Sequence, residues 1–450
     1  MNEEMELQEL LLELLHTKQF VKLKETLETV NPADIALFLS ELEDDELVIA
    51  FRITPKDLAA DTFVDMEPEQ QEQLIHSFTD KELKDVVDEL YVDDAVDIIE
   101  EMPANVVKRI LRSADRDMRQ SINMILHYPE DSAGSMMTTE YVRLKESMTV
   151  ADAITHIRKT GIDKETIYTC YVTDVNRKLL GLISAKTLLL SDDEETIGDI
   201  MEDNPICVNT HVDREVVAQD FEKYGFMALP VVDDEPRLVG IVTIDDAIDV
   251  IQEEATEDIE KLAAIVPTDK PYMRTGVFET WKKRIPWLLL LMLSATFTTM
   301  IITGFENALK AQVVLTAFIP MIMGTAGNSG SQASVTVVRG LSLGEIEYRD
   351  TLRVMWKEIR VAVLCGVTLA LATFLKCVIF DRTGIDVAVV ISLTLLIAII
   401  FSKMIGCLLP IGAKKIGIDP TVMASPFITA IVDALSLLIY FTVACAFLNI

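Results

Sequence analysis

The chain has 450 residues, half of them apolar, and a net charge of −32. Residues 1–283 hold 28 basic and 63 acidic side chains, a net of −35, while residues 284–450 hold 12 and 9, a net of +3. A soluble part this acidic argues against nucleic acid and anionic lipid as its partners and favours cations, although most of these carboxylates suffice as a solubilising surface.

Residues 1–128 read as an acidic, helical N-domain. Apolar residues recur at helical spacing in Leu7–Leu15, Ile35–Leu42, Leu58–Met66 and Ala95–Met102. Asn31-Pro32, Thr54-Pro55 and Glu67-Pro68 each set Pro near a helix start with an acid in the first turn. Residues 137–262 contain a duplication with a constant offset of 59 residues: Tyr171-Val-Thr-Asp174 and Lys178-Leu-Leu-Gly181 parallel Pro230-Val-Val-Asp233 and Arg237-Leu-Val-Gly240. Each copy (about 137–200 and 201–262) predicts strand, turn, strand and helix after an earlier helix, Val150–Thr160 or Asp213–Tyr224. Met137-Thr-Thr and Met201-Glu-Asp open the copies. The pattern resembles a tandem CBS pair. Such domains hold the ribose of an adenine nucleotide such as ATP at a pattern that Gly240, Thr243 and Asp246 satisfy, and that the first copy lacks. A nucleotide-free, structural pair fits equally.

Beyond the second copy, Asp246, Asp249, Glu253 and Glu257 share a helix face, with Glu254 and Asp258 beside them. Like charges at this spacing need solvent, a basic partner or a divalent cation. Pro267 and Pro271 break the linker 263–284, and a short amphipathic helix at about Gly276–Arg284 leads into five expected membrane spans. These are about 285–305, 311–338, 361–380, 387–413 and 420–448. Ten basic residues flank them on one side and three on the other. The N-terminus, which is acidic and lacks signal-peptide character, is therefore expected in the cytoplasm and the C-terminus at Ile450 outside the cell membrane.

Two features inside the spans carry chemistry. The second span is uncharged for 28 positions from Ala311 to Val338, yet its centre is Gly324-Thr-Ala-Gly327-Asn328-Ser-Gly330-Ser331-Gln332. Small and polar residues at this depth make either a tight packing face or the wall of a water-filled path. Asp433 stands in the fifth span with 13 uncharged residues before it and 17 after. A carboxylate there is a functional candidate, with Lys403 of the fourth span as an alternative, purely structural partner. Pro426, Thr429 and Asp433 share a face, and Gly327-Asn328 lies at about the same depth. These donors are all oxygens, which suits a hard cation such as Mg²⁺ that keeps much of its water. One Asp is few for a divalent ion; two chains about a two-fold axis supply two, with Asp419 ringing the inner mouth. The six Cys form no C-x-x-C pair. Residues 284–450 contain no His, so no metalloprotease helix is present and no enzyme is expected.

With these motifs in place, the chain resembles the MgtE family of magnesium channels over nearly its whole length. The matches are the Pro320-to-Gln332 segment, Ile418-Asp419-Pro420, Pro426-Phe-Ile-Thr429-Ala-Ile-Val-Asp433 and Glu254-Ala-Thr-Glu257-Asp258. The resemblance implies a homodimeric Mg²⁺ channel with Asp433 at the ion and Gly327, Asn328, Gln332 and Thr429 lining the pore. It also implies closure by cytosolic Mg²⁺ bound between the N-domain, the CBS pair and the connecting helix. Carried over residue by residue, the ligands are Asp93 and Asp97; Glu215, Asp246 and Asp249; and Glu254, Glu257 and Asp258, with Asp61 or Asp65 as a further N-domain acid. Where relatives can carry an acid before the Leu229-Pro-Val-Val strand, this chain has Lys223-Tyr-Gly225-Phe, which weakens a site there. The rivals are a channel that also admits Mn²⁺, Co²⁺ or Ni²⁺, and a membrane-anchored CBS nucleotide sensor.

Overall fold

The computed structural model describes residues 2–268, 272, 275–423 and 425–448. It divides into two compact units, Met1–Ile251 and Gln252–Ile450. Pro271 and Ile450, to which the sequence assigned a linker break and an outer terminus, lie outside the described residues.

Ten helices, from Asn2–His16 to Arg116–Ile125, open the first unit. Side-chain caps fix the starts of three of them. Asn31 accepts a hydrogen bond from the Ala33 N–H at 3.0 Å, and Asp115 accepts one from Met118 at 2.7 Å. Thr79 and Glu82 form a reciprocal capping box at 3.2 and 2.8 Å. Pro32 and Pro68 occupy first turns as expected, whereas Pro55 sits one position earlier, at the cap itself. The buried faces of these helices share one core with Val217, Phe221, Leu229 and Val231 of the second CBS copy.

The duplication folds as two sheets. One runs β1 (Tyr141–Leu144), β2 (Thr166–Thr173), β3 (Leu179–Ser184) and β4 (Glu202–Asp203); the other runs β5 (Val208–Asn209), β6 (Ala228–Val232) and β7 (Leu238–Thr243). The first pair in each is parallel and the second antiparallel. The register keeps the sequence offset: Val172 faces Gly181 in one sheet, and Val231 faces Gly240 in the other. The opening segments cross between copies. Thr138 bridges Ile241 of the second sheet, while Glu202 pairs with Leu182 of the first. Both glycines make this crossing feasible. A Cβ on Gly181 would stand 2.7 Å from the Glu202 carbonyl oxygen, and one on Gly240 would stand 2.7 Å from that of Thr138. The connecting helix, Ile244–Leu262, leaves directly from β7.

Among the described residues, the second unit holds five helices long and apolar enough to cross a membrane. The expected amphipathic helix before the first span is instead continuous with it, as Val277–Gly304. Pro286 within that helix removes one backbone donor without ending it. The second candidate span, Val313–Ser342, is not one regular helix. A short helix, Glu306–Ala311, and a 3₁₀ turn, Val313–Phe318, precede the helix Ile319–Ser342, with Pro320 in its first turn. The third helix begins at Thr351, ten residues before the expected Val361, so its first turns are charged. The fourth is Ile385–Lys415; the fifth is a turn, Pro420–Met423, followed by Ser425–Leu448. Spans two and four approach closely: a Cβ on Gly406 would fall on the Gly330 carbonyl, and Ser402 Oγ donates to the Ala326 carbonyl.

Candidate functional site

In the first unit, helix Val92–Glu101 carries Asp93, Asp94 and Asp97, and the connecting helix begins with Asp245 and Asp246. Four of these acids stand in first turns, where free N–H groups favour negative charge. The fold turns the two sets toward one another. Asp93 is only 5% exposed, and its Oδ1 has no hydrogen-bond partner among the described residues. Burial, and then Asp246 and Asp94, hold its carboxyl well above the ordinary range. Burial followed by Asp246 and Asp245 pushes Asp94 up to about 7, and burial followed by Asp246 and Asp94 pushes Asp97 up to about 8. Asp246 rises to about 6: burial drives it up, and the Thr243 hydroxyl, which donates to Oδ2 at 2.6 Å, holds it back. Asp65 is raised by burial, then by Asp61 and Asp249, so both earlier N-domain candidates belong to this acidic region.

The charged groups acting most strongly on these carboxyls are all acids. An orphaned, buried carboxylate oxygen among like charges suits a hard cation. Among the described residues, no group of three or more His, Cys, Asp or Glu stands close enough to enclose a metal ion. A cation bound there would keep water in its remaining positions, as Mg²⁺ does. The structure adds a member that the sequence did not signal. Glu165, just before β2, is pushed up to about 8 by burial and then by Asp94, and its Oε2 has no hydrogen-bond partner among the described residues. Glu215 is exposed and accepts from Gln219 Nε2 at 3.1 Å. Asp249 is exposed beside Asp245. Thr243 and Asp246, expected at a ribose, are bonded to each other.

In the second unit, Glu254, Glu257 and Asp258 occupy the later turns of the connecting helix. Lys261 Nζ lies 2.8 Å from Glu257 Oε1 and 2.8 Å from Asp419 Oδ2. Asp258 is raised by burial and then by Asp419. Asp419, although burial alone would raise it, is held below the ordinary range by Lys261 and Thr421.

Within the spans, Asp433 is half-buried and its Oδ1 has no hydrogen-bond partner among the described residues. A Cβ on Gly327 would stand 3.5 Å from that oxygen and 3.0 Å from Thr429 Cγ2. The hydroxyls of Thr429 and Ser331 are 3.2 Å apart. Gly327, Ser331, Thr429 and Asp433 therefore meet between spans two and five. Asn328 and Gln332 lie on the adjoining face, exposed, along a groove of about 540 Å³ that continues to Val335 and Thr336. The second span has two distinct faces. One face packs on small residues, and the next presents amides and hydroxyls at bilayer depth. Lys403 does not pair with Asp433; its Nζ is 3.6 Å from Glu358 Oε2, and both residues are buried.

A helical domain, a CBS pair and five apolar helices define a multi-pass membrane protein. Its last part, residues 319–443, matches the family model described as a divalent cation transporter. Residues 30–131 match the MgtE intracellular N domain, and residues 133–193 and 197–253 match CBS domains. The chain is 34% identical over 426 residues to the magnesium transporter MgtE of Thermus thermophilus, covering 94% of each chain. It is 31% identical over 430 residues to that of Bacillus subtilis, covering 95% of this chain and 94% of that one. A crystal structure of the cytosolic domain of the Mg²⁺ channel MgtE in complex with ATP superimposes with a TM-score of 0.51 at 34% identity, covering 53% of this chain and 98% of that one. Another, of the soluble part of a magnesium transporter, gives 0.53 at 31%, covering 56% and 99%. The chain belongs to the MgtE family, whose members transport ions and are not enzymes.

Proposed function

We propose that the chain is one subunit of a homodimeric Mg²⁺ channel of the cell membrane, which admits Mg²⁺ to the cytoplasm and is closed by cytoplasmic Mg²⁺. The carrying observation is Asp433. An unpartnered carboxylate oxygen at mid-span stands beside an exposed row of amides and hydroxyls. Lipid cannot satisfy such a row, so a second copy and a hydrated path are the natural cover. The relatives named as magnesium transporters support the choice of ion. The excess of basic flanks on one side supports a cytoplasmic N-terminus and, with five spans, an outer C-terminus. Regulation follows from the acidic cluster: facing carboxylates repel when bare and are bridged by a bound cation. If the bridged state is the closed one, cytoplasmic Mg²⁺ shifts the population toward closure by its differential affinity. Glu215, Asp249 and Glu254 are secondary ligands in this reading. An adenine nucleotide on the CBS pair is supported by the relative crystallised with ATP. Asp246 would then serve both the acid cluster and the nucleotide, with Oδ2 already accepting from the Thr243 hydroxyl.

Mg²⁺ flux into vesicles containing the purified protein tests the reading. Asp433→Ala is expected to lose Mg²⁺ selectivity or conduction while remaining a folded dimer. Unaltered Mg²⁺ flux, with unaltered block of other cations, would remove Asp433 from the pore. The family description also covers other divalent ions, and Mn²⁺ flux equal to that of Mg²⁺ would favour the broader channel.

A further inference from the structure

Lys261 closes the connecting helix between two acids from distant parts of the chain. Its ammonium is 2.8 Å from Glu257, one turn earlier, and 2.8 Å from Asp419 Oδ2 at the head of the fifth span. Asp419 is fixed from its other side, where Oδ1 accepts from the Thr421 N–H at 2.8 Å and from its hydroxyl at 2.6 Å. The Asp258 carboxyl adjoins, since Asp419 is the charged group acting on it most strongly. Glu257 and Asp419 therefore share one compact, monovalent cation whose side chain is 23% exposed, with Asp258 next to Glu257 along the helix.

We propose that Lys261 is a built-in competitor for the regulatory cation. Its ammonium fills the Glu257–Asp258–Asp419 site when no divalent ion is present. It pins the end of the connecting helix to the start of the fifth span, and it must be displaced before a divalent ion can take those oxygens. This deepens the proposed sensing role and rests on it. Lys261 is thus a positioning residue that sets the concentration at which the cation acts. The exchange replaces one charge by two. Removing the ammonium leaves the carboxylates without a counter-charge, so divalent binding there tightens; about tenfold is a modest expectation for a unit charge a few ångströms from the ion. A lysine that merely held the helix in place would act in the opposite direction, because its loss would loosen the site and weaken binding.

Mn²⁺ binding to the full-length protein, followed by electron paramagnetic resonance, separates the two. An Asp93→Asn/Asp97→Asn background subdues the acids of the first unit. Lys261→Met is expected to lower the half-saturating Mn²⁺ concentration of the remaining sites about tenfold. Lys261→Arg, which keeps the charge and binds carboxylates through a fork, is expected to hold it at or above the parent value. An unchanged or raised concentration in Lys261→Met, or no Mn²⁺ binding in either protein, overturns the proposal. The Arg variant also reports whether the position tolerates replacement. Closure of the parent channel by Mg²⁺ is scored separately. Its absence would sink the sensor reading, while the isotherms still decide the role of Lys261.

Discussion

Lys403 and Glu358 form a buried ion pair between the third and fourth spans, 3.6 Å apart. Breaking a buried pair strands the surviving charge, which costs about 3–5 kcal/mol, whereas replacing both partners with apolar residues can be nearly neutral. Lys403→Met is therefore expected to lower stability in detergent by about that amount. Lys403→Met/Glu358→Leu should recover most of the loss, as denaturation of the single and double variants would show. A single variant as stable as the parent would mean that the pair contributes nothing. The sequence made half of this pair legible. A lysine inside an apolar run needs a partner, but the expected third span began at Val361 and left Glu358 outside it. The helix in fact starts at Thr351 and carries Arg353, Lys357 and Glu358 in its first turns. Apolar runs mark the part of a helix that meets hydrocarbon and not its polar beginning. That boundary hid Glu358 and left Asp433 as the nearest available acid. Asp433 itself was legible because a lone charge at mid-span is costly wherever its helix begins.

Among the elements, the helix start at Asn31-Pro32 was legible from local capping chemistry and the constant offset carried the CBS duplication, whereas the caps at Thr79 and Asp115, which no proline marks, were not singled out. Glu165 was not legible, since its place in the acidic cluster depends on how the N-terminal helices pack over the second CBS copy. That packing gives the first unit a pH dependence with a definite sign. Asp94, Asp97 and Glu165 are raised to about 7, about 8 and about 8 in the fold, from ordinary values of 3.8 for Asp and 4.5 for Glu. Between those limits the folded arrangement binds more protons than the unfolded chain, so its stability falls as pH rises. Without divalent ions, the thermal midpoint of this unit in the full-length protein should be higher at pH 5.5 than at pH 8. Saturating Mg²⁺ should flatten or reverse the trend, because the cation replaces the protons at high pH and competes with them at low pH. Asp94→Asn/Asp97→Asn should flatten it without metal. A metal-free midpoint that climbs toward pH 8 would mean that these carboxyls are not crowded together.

At the scale of the whole molecule, the proposed regulation requires that charge in the acidic cluster bias the opening of the spans. Removing residues 1–128 outright is a poor probe, because Val217, Phe221, Leu229 and Val231 share a core with Phe38 and Leu74. A truncated chain would expose that apolar surface, and lost closure would report damage as much as lost ligands. Asp93→Asn/Asp97→Asn keeps the volume and removes two charges. It has two opposed effects: fewer ligands weaken Mg²⁺ binding, and less repulsion favours the compact arrangement before any cation binds. For the half-exposed acids Glu254, Glu257 and Asp258, salt screens repulsion beyond roughly 8 Å, so ligand loss dominates and closure should simply need more Mg²⁺. For Asp93 and Asp97 the balance is different. Asp93 is buried among acids, where screening is weak and repulsion is strong, and Asp97, exposed one turn later on the same helix, adds to that repulsion. Neutral amides there should stand in for the bound cation. The double variant is expected to be partly closed in the absence of cytoplasmic Mg²⁺ and to respond to added Mg²⁺ only shallowly. Glu254→Gln/Glu257→Gln/Asp258→Asn should instead open fully and shift its curve to higher Mg²⁺. Patch recordings of open probability against cytoplasmic Mg²⁺ compare the two directly. A double variant that opens fully without Mg²⁺ and shifts in parallel would show that ligation alone, and not the relief of buried repulsion, sets the gate.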